Sequence, residues 1–153
     1  MRRLYIAPTG RTGQGLFTKV SFKAGETVVV LRGKVRTDAY DSRWAIGPRW
    51  IGIGDNRWID PPFGSYAHFL NHSCDANCVV NQKRLVVSIR PIAAGEQITI
   101  DYSTTEIDPY WKMPCKCGAA KCRRVIRAVQ KLPVEIYDKF QPYLSPKISI
   151  ARS

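Results

Sequence analysis

The sequence predicts a mostly β domain. Three short runs rich in Val and Ile are each bounded by Gly, Pro or Asn, as strands commonly are: Thr27–Leu31, Arg84–Ile89 and Gln97–Ile100. Only one segment carries a clear helical signal. The length of 153 residues suits one domain with a core of its own and is too short for two full ones.

Two similar turns introduce two of these strands. The segments 22–26 (Phe-Lys-Ala-Gly-Glu) and 92–96 (Ile-Ala-Ala-Gly-Glu) each lead into an apolar run. Glycine adopts a positive φ without steric cost, so Gly25 and Gly95 indicate shared turn chemistry. Two copies do not establish a true repeat.

The remaining elements are less regular. Residues 40–62 carry Trp44, Trp50 and Trp58 among Gly and Pro, which predicts a packed irregular insert whose aromatic rings belong to the core. Ser65–Leu70 is long enough for one helical turn.

A short helix is predicted near the C-terminus. Pro133 is placed to open it, because proline is favoured in the first helical turn. Ile136 and Phe140 are four residues apart and share a face, and Pro142 disfavours continuation.

The charge distribution is uneven. The net charge is +12, and residues 111–153 hold ten basic and two acidic side chains, so this segment alone carries +8. Such a concentration favours polyanions such as nucleic acid, although a role in solubility explains it equally well. The hydrophobic fraction of 44% excludes a disordered basic tail. The longest apolar run, residues 28–31, is far too short to span a bilayer.

The five cysteines indicate a metal site. Cys115, Cys117 and Cys122 form a Cys-x-Cys-x4-Cys cluster, in which Gly118 allows the chain to turn. Structural zinc requires four ligands, so either Cys74 or Cys78 would complete the set. The alternative is a group of inert thiols. The first residues lack the apolar stretch of a signal peptide, so we expect an intracellular protein, where disulfides are disfavoured.

The densest polar run lies at residues 71–77, Asn-His-Ser-Cys-Asp-Ala-Asn. Adjacent strand residues point to opposite faces, so Asn71 and His72 cannot both face the core of one sheet. Their side chains offer directional hydrogen bonds, which favours a polar site. Alone, the run is more typical of a capped turn with a surface histidine.

Four motifs in one order resemble the SET-domain protein lysine methyltransferases. Asn71-His72-Ser73-Cys74 followed by Asn77 is similar to the family signature. The other three are Gly13-Gln14-Gly15-Leu16-Phe17, the run from Gly95 to Asp101-Tyr102, and the cysteine cluster ending at Cys122-Arg123, which resembles a post-SET zinc module. The resemblance covers roughly residues 10–126.

The resemblance implies a fold and an organisation. The expected fold is a SET-domain fold of several small sheets with a knot-like C-terminal crossing, plus the short C-terminal helix. We expect a SET domain over residues 1–110, a post-SET zinc-binding segment over 111–126, and a C-terminal extension over 127–153. No cysteine-rich segment precedes the domain, and the length leaves almost no room for a targeting domain, so target choice is expected to come from the groove, the charge or a partner.

The resemblance also implies site residues. S-adenosylmethionine would be held by Gly13, Gln14, Gly15, Leu16, Asn71, His72 and Tyr102. Tyr102 would be the catalytic residue, orienting a neutral lysine amine in line with the methyl group. One structural zinc ion would be bound by Cys74, Cys115, Cys117 and Cys122, which leaves Cys78 as the spare cysteine.

The chain departs from the family pattern at three positions. Leu31 and Ile100 stand where aromatic residues are common, and His68 replaces a common Arg. The smaller Ile100 predicts room for di- or trimethylation. Asp101 is less certain, since an acidic residue at a strand end is commonly solvated.

Three function classes follow. The first is an active enzyme that methylates a lysine of a protein substrate, which we expect to be a histone or a histone-like protein. We expect this enzyme in the nucleus or on chromatin in a eukaryote and in the cytoplasm in a prokaryote. The second is a SET fold that has lost transfer and binds nucleic acid or an acidic partner through its basic C-terminus. The third is a small zinc protein that binds nucleic acid, which leaves Tyr102 idle. Since a basic enzyme repels a basic histone tail, we expect either that Asp101, Glu106 and Asp108 line the peptide groove or that the charge docks on nucleic acid.

Overall fold

The computed structural model describes residues 1–37 and 49–152, and this part of the chain is mostly β. These residues contain twelve strands, in chain order: β1 (Leu4–Pro8), β2 (Gln14–Thr18), β3 (Thr27–Val30), β4 (Lys34–Arg36), β5 (Ile51–Gly54), β6 (Arg57–Asp60), β7 (Asn71–His72), β8 (Cys78–Val80), β9 (Leu85–Ser88), β10 (Gln97–Ile100), β11 (Lys112–Pro114) and β12 (Val125–Arg127). The same residues contain two α-helices, α1 (Val134–Phe140) and α2 (Pro146–Arg152). Short 3-10 turns cover Tyr66–Phe69, Tyr102–Thr104 and Val129–Lys131.

The largest sheet has β10 at its centre. Its order is β1-β2-β10-β8-β9-β3, with β7 also paired to β10. β10 runs antiparallel to β2 and parallel to β7 and β8, so a late strand crosses back beside one of the first. The mostly β prediction with several small sheets is therefore confirmed, and the knot-like threading stays a prediction.

The two similar turns face each other. Phe22 and Ile92 form an isolated bridge in which each backbone N–H donates to the other's carbonyl oxygen, at 2.8 and 2.9 Å. Gly25 and Gly95 have φ values of 87° and 90°, so the predicted positive φ is present in both turns. Shared turn chemistry thus explains the similarity without a repeat.

The prediction of an irregular insert is wrong for residues 51–60. Here β5 and β6 form a hairpin, and β4 completes a second sheet in the order β4-β6-β5. Trp58 is buried, as predicted for the aromatic residues, and its ring centroid lies 6.5 Å from that of Trp50. Trp44 lies outside the described residues.

The C-terminal extension contains two helices rather than the single predicted one. α1 follows Pro133, which precedes the first helical residue, and α2 was not expected. Both helices pack on a hydrophobic cluster that includes Val79, Val129 and Phe140, so the extension covers one face of the domain. Earlier in the chain, β11 and β12 form a separate antiparallel hairpin, and the segment that connects them contains Cys115, Cys117 and Cys122.

The other local predictions agree with the structure. β3, β9 and β10 lie within the three predicted strands, and the 3-10 turn Tyr66–Phe69 lies within 65–70. Over residues 1–37 and 49–152, no helix is both long and apolar enough to cross a membrane.

Candidate active site

Residues 13–16, called the glycine loop below, lie where the β1–β2 turn leads into β2. Gly13 has a φ of 72°, which favours glycine, and the Thr9 backbone N–H donates to its carbonyl oxygen at 2.8 Å. A Cβ on Gly15 would lie 2.5 Å from Gln97 Nε2 and 3.0 Å from Asn71 Nδ2. Gly13 is therefore needed for conformation and Gly15 for close packing. Leu16 is fully buried in the main hydrophobic core.

Asn71 joins this loop to the centre of the sheet. Its Nδ2 donates to the Gln14 carbonyl oxygen at 2.9 Å and to Thr12 Oγ1 at 3.2 Å. β7 places Asn71 beside Thr99 of β10 and His72 beside Ile100. Both side chains are buried despite their alternation along the strand, because the two faces of β7 are both covered. The surface position considered for His72 is therefore wrong.

His72 connects Asn71 to Tyr102. The Tyr102 backbone N–H donates to His72 Nδ1 at 3.1 Å, and the two ring centroids are 5.3 Å apart. Burial lowers the pKa of His72 to about 4, because its effect is larger than the opposing effect of the nearby Asp101 carboxylate. The imidazole is neutral at pH 7.

Tyr102 follows β10 and directs its hydroxyl back to the chain before β7. This hydroxyl donates to the Leu70 carbonyl oxygen at 2.7 Å. Burial raises the pKa of Tyr102 to about 12, so the phenol stays protonated at neutral pH. The side chain can orient a neighbouring polar group through its oxygen lone pairs, but it cannot serve as a proton acceptor by ionising.

Asp101 is neither solvated nor part of an exposed groove. It is fully buried, and Arg123 forms a bidentate ion pair with it through Nη1–Oδ2 at 2.9 Å and Nη2–Oδ1 at 2.8 Å. Arg123 Nη2 also donates to Ser103 Oγ at 3.1 Å. Although burial opposes its charge, the Asp101 carboxylate raises the pKa of Arg123. The expectation that Asp101 lines a peptide groove is wrong, and of the other two acids Glu106 is half-buried while Asp108 is exposed.

Three predicted cysteine ligands come together beside His72. His72 Nε2 and the sulfurs of Cys74, Cys115 and Cys117 all lie within 4.8 Å of one another. The sulfurs of Cys74 and Cys115 are 3.8 Å apart. Zn–S bonds of about 2.3 Å place two sulfurs of a tetrahedral site at about this separation. The donor set therefore fits a zinc ion.

Cys122 lies at the edge of this cluster, outside the four-atom group. Its thiol donates to the Cys115 carbonyl oxygen at 3.6 Å. Hydrogen bonds to the sulfur lower the pKa of Cys122 to about 7, and the bond from the Arg124 backbone has the largest effect. Cys78 is fully buried in the main core, where burial raises its pKa to about 12. Cys78 is therefore separate from the cluster, as expected of the spare cysteine.

The three departures occupy different surroundings. Leu31 and Ile100 are buried in the main core, against which Tyr102 is partly packed. His68 contacts Phe63 and Phe69, and its Nδ1 is buried without a hydrogen-bond partner among the described residues.

Two contributors were not predicted as site residues. One is Arg123, which neutralises the buried Asp101 carboxylate beside Tyr102. The other is Asn77, whose Nδ2 donates to the Gln97 carbonyl oxygen at 2.8 Å while its Oδ1 accepts from the Thr99 N–H at 3.0 Å. Asn77 thus fixes β10 from the side opposite the glycine loop.

The profile of one protein family, described as the SET domain, matches residues 13–103. This is more than half of the chain and includes the glycine loop, Asn71, His72 and Tyr102. The chain belongs to the SET-domain family. The family assignment made from the four motifs is confirmed.

Similar proteins agree with this assignment. The chain is 37% identical over 130 residues to histone-lysine N-methyltransferase 2B of Homo sapiens, covering 74% of this chain and 5% of that protein. It is 33% identical over 146 residues to histone-lysine N-methyltransferase TRX1 of Oryza sativa subsp. japonica, covering 84% and 14%. This SET-domain chain thus spans only a small part of these relatives.

Solved structures share the fold. A crystal structure of KRYPTONITE in complex with mCHG DNA and SAH superposes with a TM-score of 0.62 at 22% identity, covering 80% of this chain and 28% of that one. A second KRYPTONITE structure, with mCHH DNA, an H3(1-15) peptide and SAH, gives a TM-score of 0.60 at 23% identity. The expected SET-domain fold is confirmed.

Proposed function

We propose that this protein is a lysine N-methyltransferase that uses S-adenosylmethionine. The observation that carries the proposal is the hydrogen-bonded path from the glycine loop through Asn71 and His72 to Tyr102. This path ends at the Tyr102 backbone N–H, and the hydroxyl of the same residue is held by the Leu70 carbonyl oxygen, so the position of the hydroxyl is fixed from both ends of the residue. The named relatives are histone-lysine methyltransferases, and both KRYPTONITE structures contain SAH.

The residues present fit the cofactor. Gly13, Gln14, Gly15 and Leu16 offer backbone groups on a fixed turn, and Asn71 holds that turn through the Gln14 carbonyl oxygen. We assign these residues, with His72 and Tyr102, to cofactor binding. When bound, S-adenosylmethionine supplies a methyl group activated by its positively charged sulfur.

Tyr102 would position the lysine amine rather than remove its proton. Its pKa of about 12 keeps the phenol protonated, so its oxygen accepts a hydrogen bond from the amine while its O–H donates to the Leu70 carbonyl oxygen. The amine must reach the site neutral, since only its free electron pair attacks carbon. Burial disfavours the charged amine, and water takes the proton. Rate acceleration then comes mainly from alignment.

We further propose that one zinc ion is held by Cys74, Cys115, Cys117 and Cys122. His72 Nδ1 accepts the Tyr102 N–H, so in a neutral ring the proton lies on Nε2. Nε2 lies 3.3 Å from the Cys74 sulfur and can donate to it. This arrangement supports His72 as a hydrogen-bond donor to the zinc ligand Cys74 rather than as a ligand itself, so the fourth coordination position of the zinc ion is left for Cys122. The zinc-binding segment over 111–126 would thereby be tied to the SET domain over 1–110, with 127–153 as the extension.

The proposed substrate is a lysine in a histone or another nucleic-acid-associated protein. The names of the relatives support this class. A protein with that substrate would act in the nucleus or on chromatin in a eukaryote, and in the cytoplasm in a prokaryote. Because Asp101 is buried, attraction of a basic tail falls to more exposed groups such as Asp108, or to nucleic acid bound to the substrate.

The test is labelled methyl transfer to purified histones, ribosomal proteins and total lysate of the source organism. We expect label on lysine in at least one of these. Binding of the cofactor without transfer to any protein would favour the binding-module alternative, and absence of cofactor binding would end the proposal. Mass spectrometry of the product tests the methylation degree, for which Ile100 predicts more than one methyl group.

A further inference from the structure

One cleft has a lining that includes none of the residues assigned to cofactor binding or to the zinc site. It has a volume of about 340 Å³ and is bounded by the β5–β6 hairpin, the β8–β9 turn, Thr104–Thr105 and the start of α2. The close approach of Gly52 to the Thr105 backbone fixes one wall, since a Cβ on Gly52 would overlap the Thr105 carbonyl oxygen. The packing of β5 against Thr105 therefore fixes the shape of this side of the cleft.

The lining of this cleft is cationic. Arg57, Arg84 and Lys147 line it, and none of its lining residues is acidic. Asp55 pairs with Lys147 and lies 4.0 Å from Arg57 Nη2, so it offsets one positive charge from outside the lining. Arg84 is half-buried and has no carboxylate partner among the residues that the structure describes. Like charges gathered in one cleft repel each other unless an anion joins them.

The backbone of Arg84 holds an unusual conformation. Its φ is 59°, in the left-handed region where Gly and Asn are favoured over longer side chains. The turn is fixed by the Arg84 N–H, which donates to the Asn81 carbonyl oxygen at 3.0 Å, and by the Arg84 carbonyl oxygen, which accepts the Leu31 N–H at 2.9 Å. A residue with a conformational cost therefore presents to the cleft a guanidinium that has no carboxylate partner within residues 1–37 and 49–152.

We propose that this cleft binds a phosphodiester group of a nucleic-acid backbone. Guanidinium groups match phosphate oxygens in a bidentate manner. The lining contains no aromatic side chain, so a base has nothing on which to stack, and recognition is confined to the backbone. The net charge of +12 extends the attraction beyond the cleft, which favours a polyanion over a single phosphate.

The test uses the full chain without cofactor and a fluorescein-labelled DNA duplex of random sequence. Fluorescence anisotropy measures Kd over a series of salt concentrations. Arg84→Asn removes the guanidinium while suiting the left-handed backbone, so its melting temperature should be unchanged or higher. We expect it to weaken binding several-fold and to reduce the salt slope by about one.

Arg124→Asn is the matched control. Arg124 is also an arginine at positive φ, 65°, but it is exposed and lies outside the cleft. Binding by this variant should stay close to wild type. Equal weakening by both variants would show that only net charge acts and would overturn the proposal. So would displacement of DNA by equimolar inorganic phosphate or a phosphopeptide, or absence of binding at low salt. None of these outcomes depends on methyl transfer.

Discussion

Loss of the Arg123 guanidinium should destabilise the protein more than loss of any exposed arginine. In Arg123→Ala, Asp101 keeps the Ser103 N–H at 3.0 Å but loses both bonds of the ion pair, while its carboxylate stays fully buried. Removing one partner of a buried pair costs about 3–5 kcal/mol. At roughly 2–4 °C for each kcal/mol in a domain of this size, the melting temperature should fall by about 6–20 °C.

The assay is thermal and urea unfolding of the zinc-loaded proteins, followed by circular dichroism. Arg127→Ala is the control, because Arg127 is exposed in β12 and its loss should change the unfolding free energy by less than about 0.5 kcal/mol. Arg123→Lys should be intermediate, since a lysine cannot make both bonds. A loss below about 1 kcal/mol in Arg123→Ala would refute the view that the pair ties the cysteine segment to the end of β10.

Three further outcomes follow from individual contacts. Gly15→Ala should cost about 1–3 kcal/mol in unfolding free energy, because its Cβ meets Gln97 and Asn71, and should weaken cofactor affinity in titration calorimetry. Unchanged affinity would contradict the packing argument. Cys117→Ser should lose zinc measured by atomic absorption, whereas Cys78→Ser should retain it, and equal zinc content would be against the assigned ligands. Burial, only partly offset by the Trp58 hydrogen bond, raises the pKa of Glu106 to about 8. The unfolded chain therefore releases this proton at a lower pH than the folded chain does. The free energy of unfolding falls as the pH rises from about 4.5 to 8, and Glu106→Gln should flatten the accompanying fall in melting temperature.

Several parts of the fold were predictable because their signals are local. β10 coincides with its predicted run, since its Ile and Thr residues fit a buried strand and Gly95 ends the preceding turn. The β5–β6 hairpin was missed because Gly52 and Gly54 depress strand propensity. Its turn residues, Asp55 and Asn56, have φ values of 53° and 50°, so this Asp-Asn pair was the available hairpin signal.

The second helix was missed for a similar reason. α2 is short and contains two β-branched Ile residues, which weaken helical propensity. Ser145 before Pro146 was the signal, since the Ser145 hydroxyl accepts the Ile148 N–H at 3.4 Å. Packing on the cluster around Val79 then stabilises a helix that its own sequence favours only weakly.

The candidate site was predictable where motifs carry it. The glycine loop, Asn71, His72, Tyr102 and the cysteines each lie in a recognisable run. The Asp101–Arg123 pair was not predictable, because its members are separated by other elements and Arg123 is one of ten basic residues after position 110. Only the three-dimensional structure brings this arginine to a carboxylate beside the tyrosine.

Cofactor affinity and methyl transfer in Tyr102→Phe together test the proposed role of the Tyr102 hydroxyl. The substitution removes only the hydroxyl that donates to the Leu70 carbonyl oxygen, while the backbone bond to His72 Nδ1 remains. Because the ring and the backbone of Tyr102 remain, calorimetry should give a near-wild-type Kd for S-adenosylmethionine, while transfer to a histone lysine, followed by mass spectrometry, should be lost. Transfer at the wild-type rate by Tyr102→Phe would contradict this role.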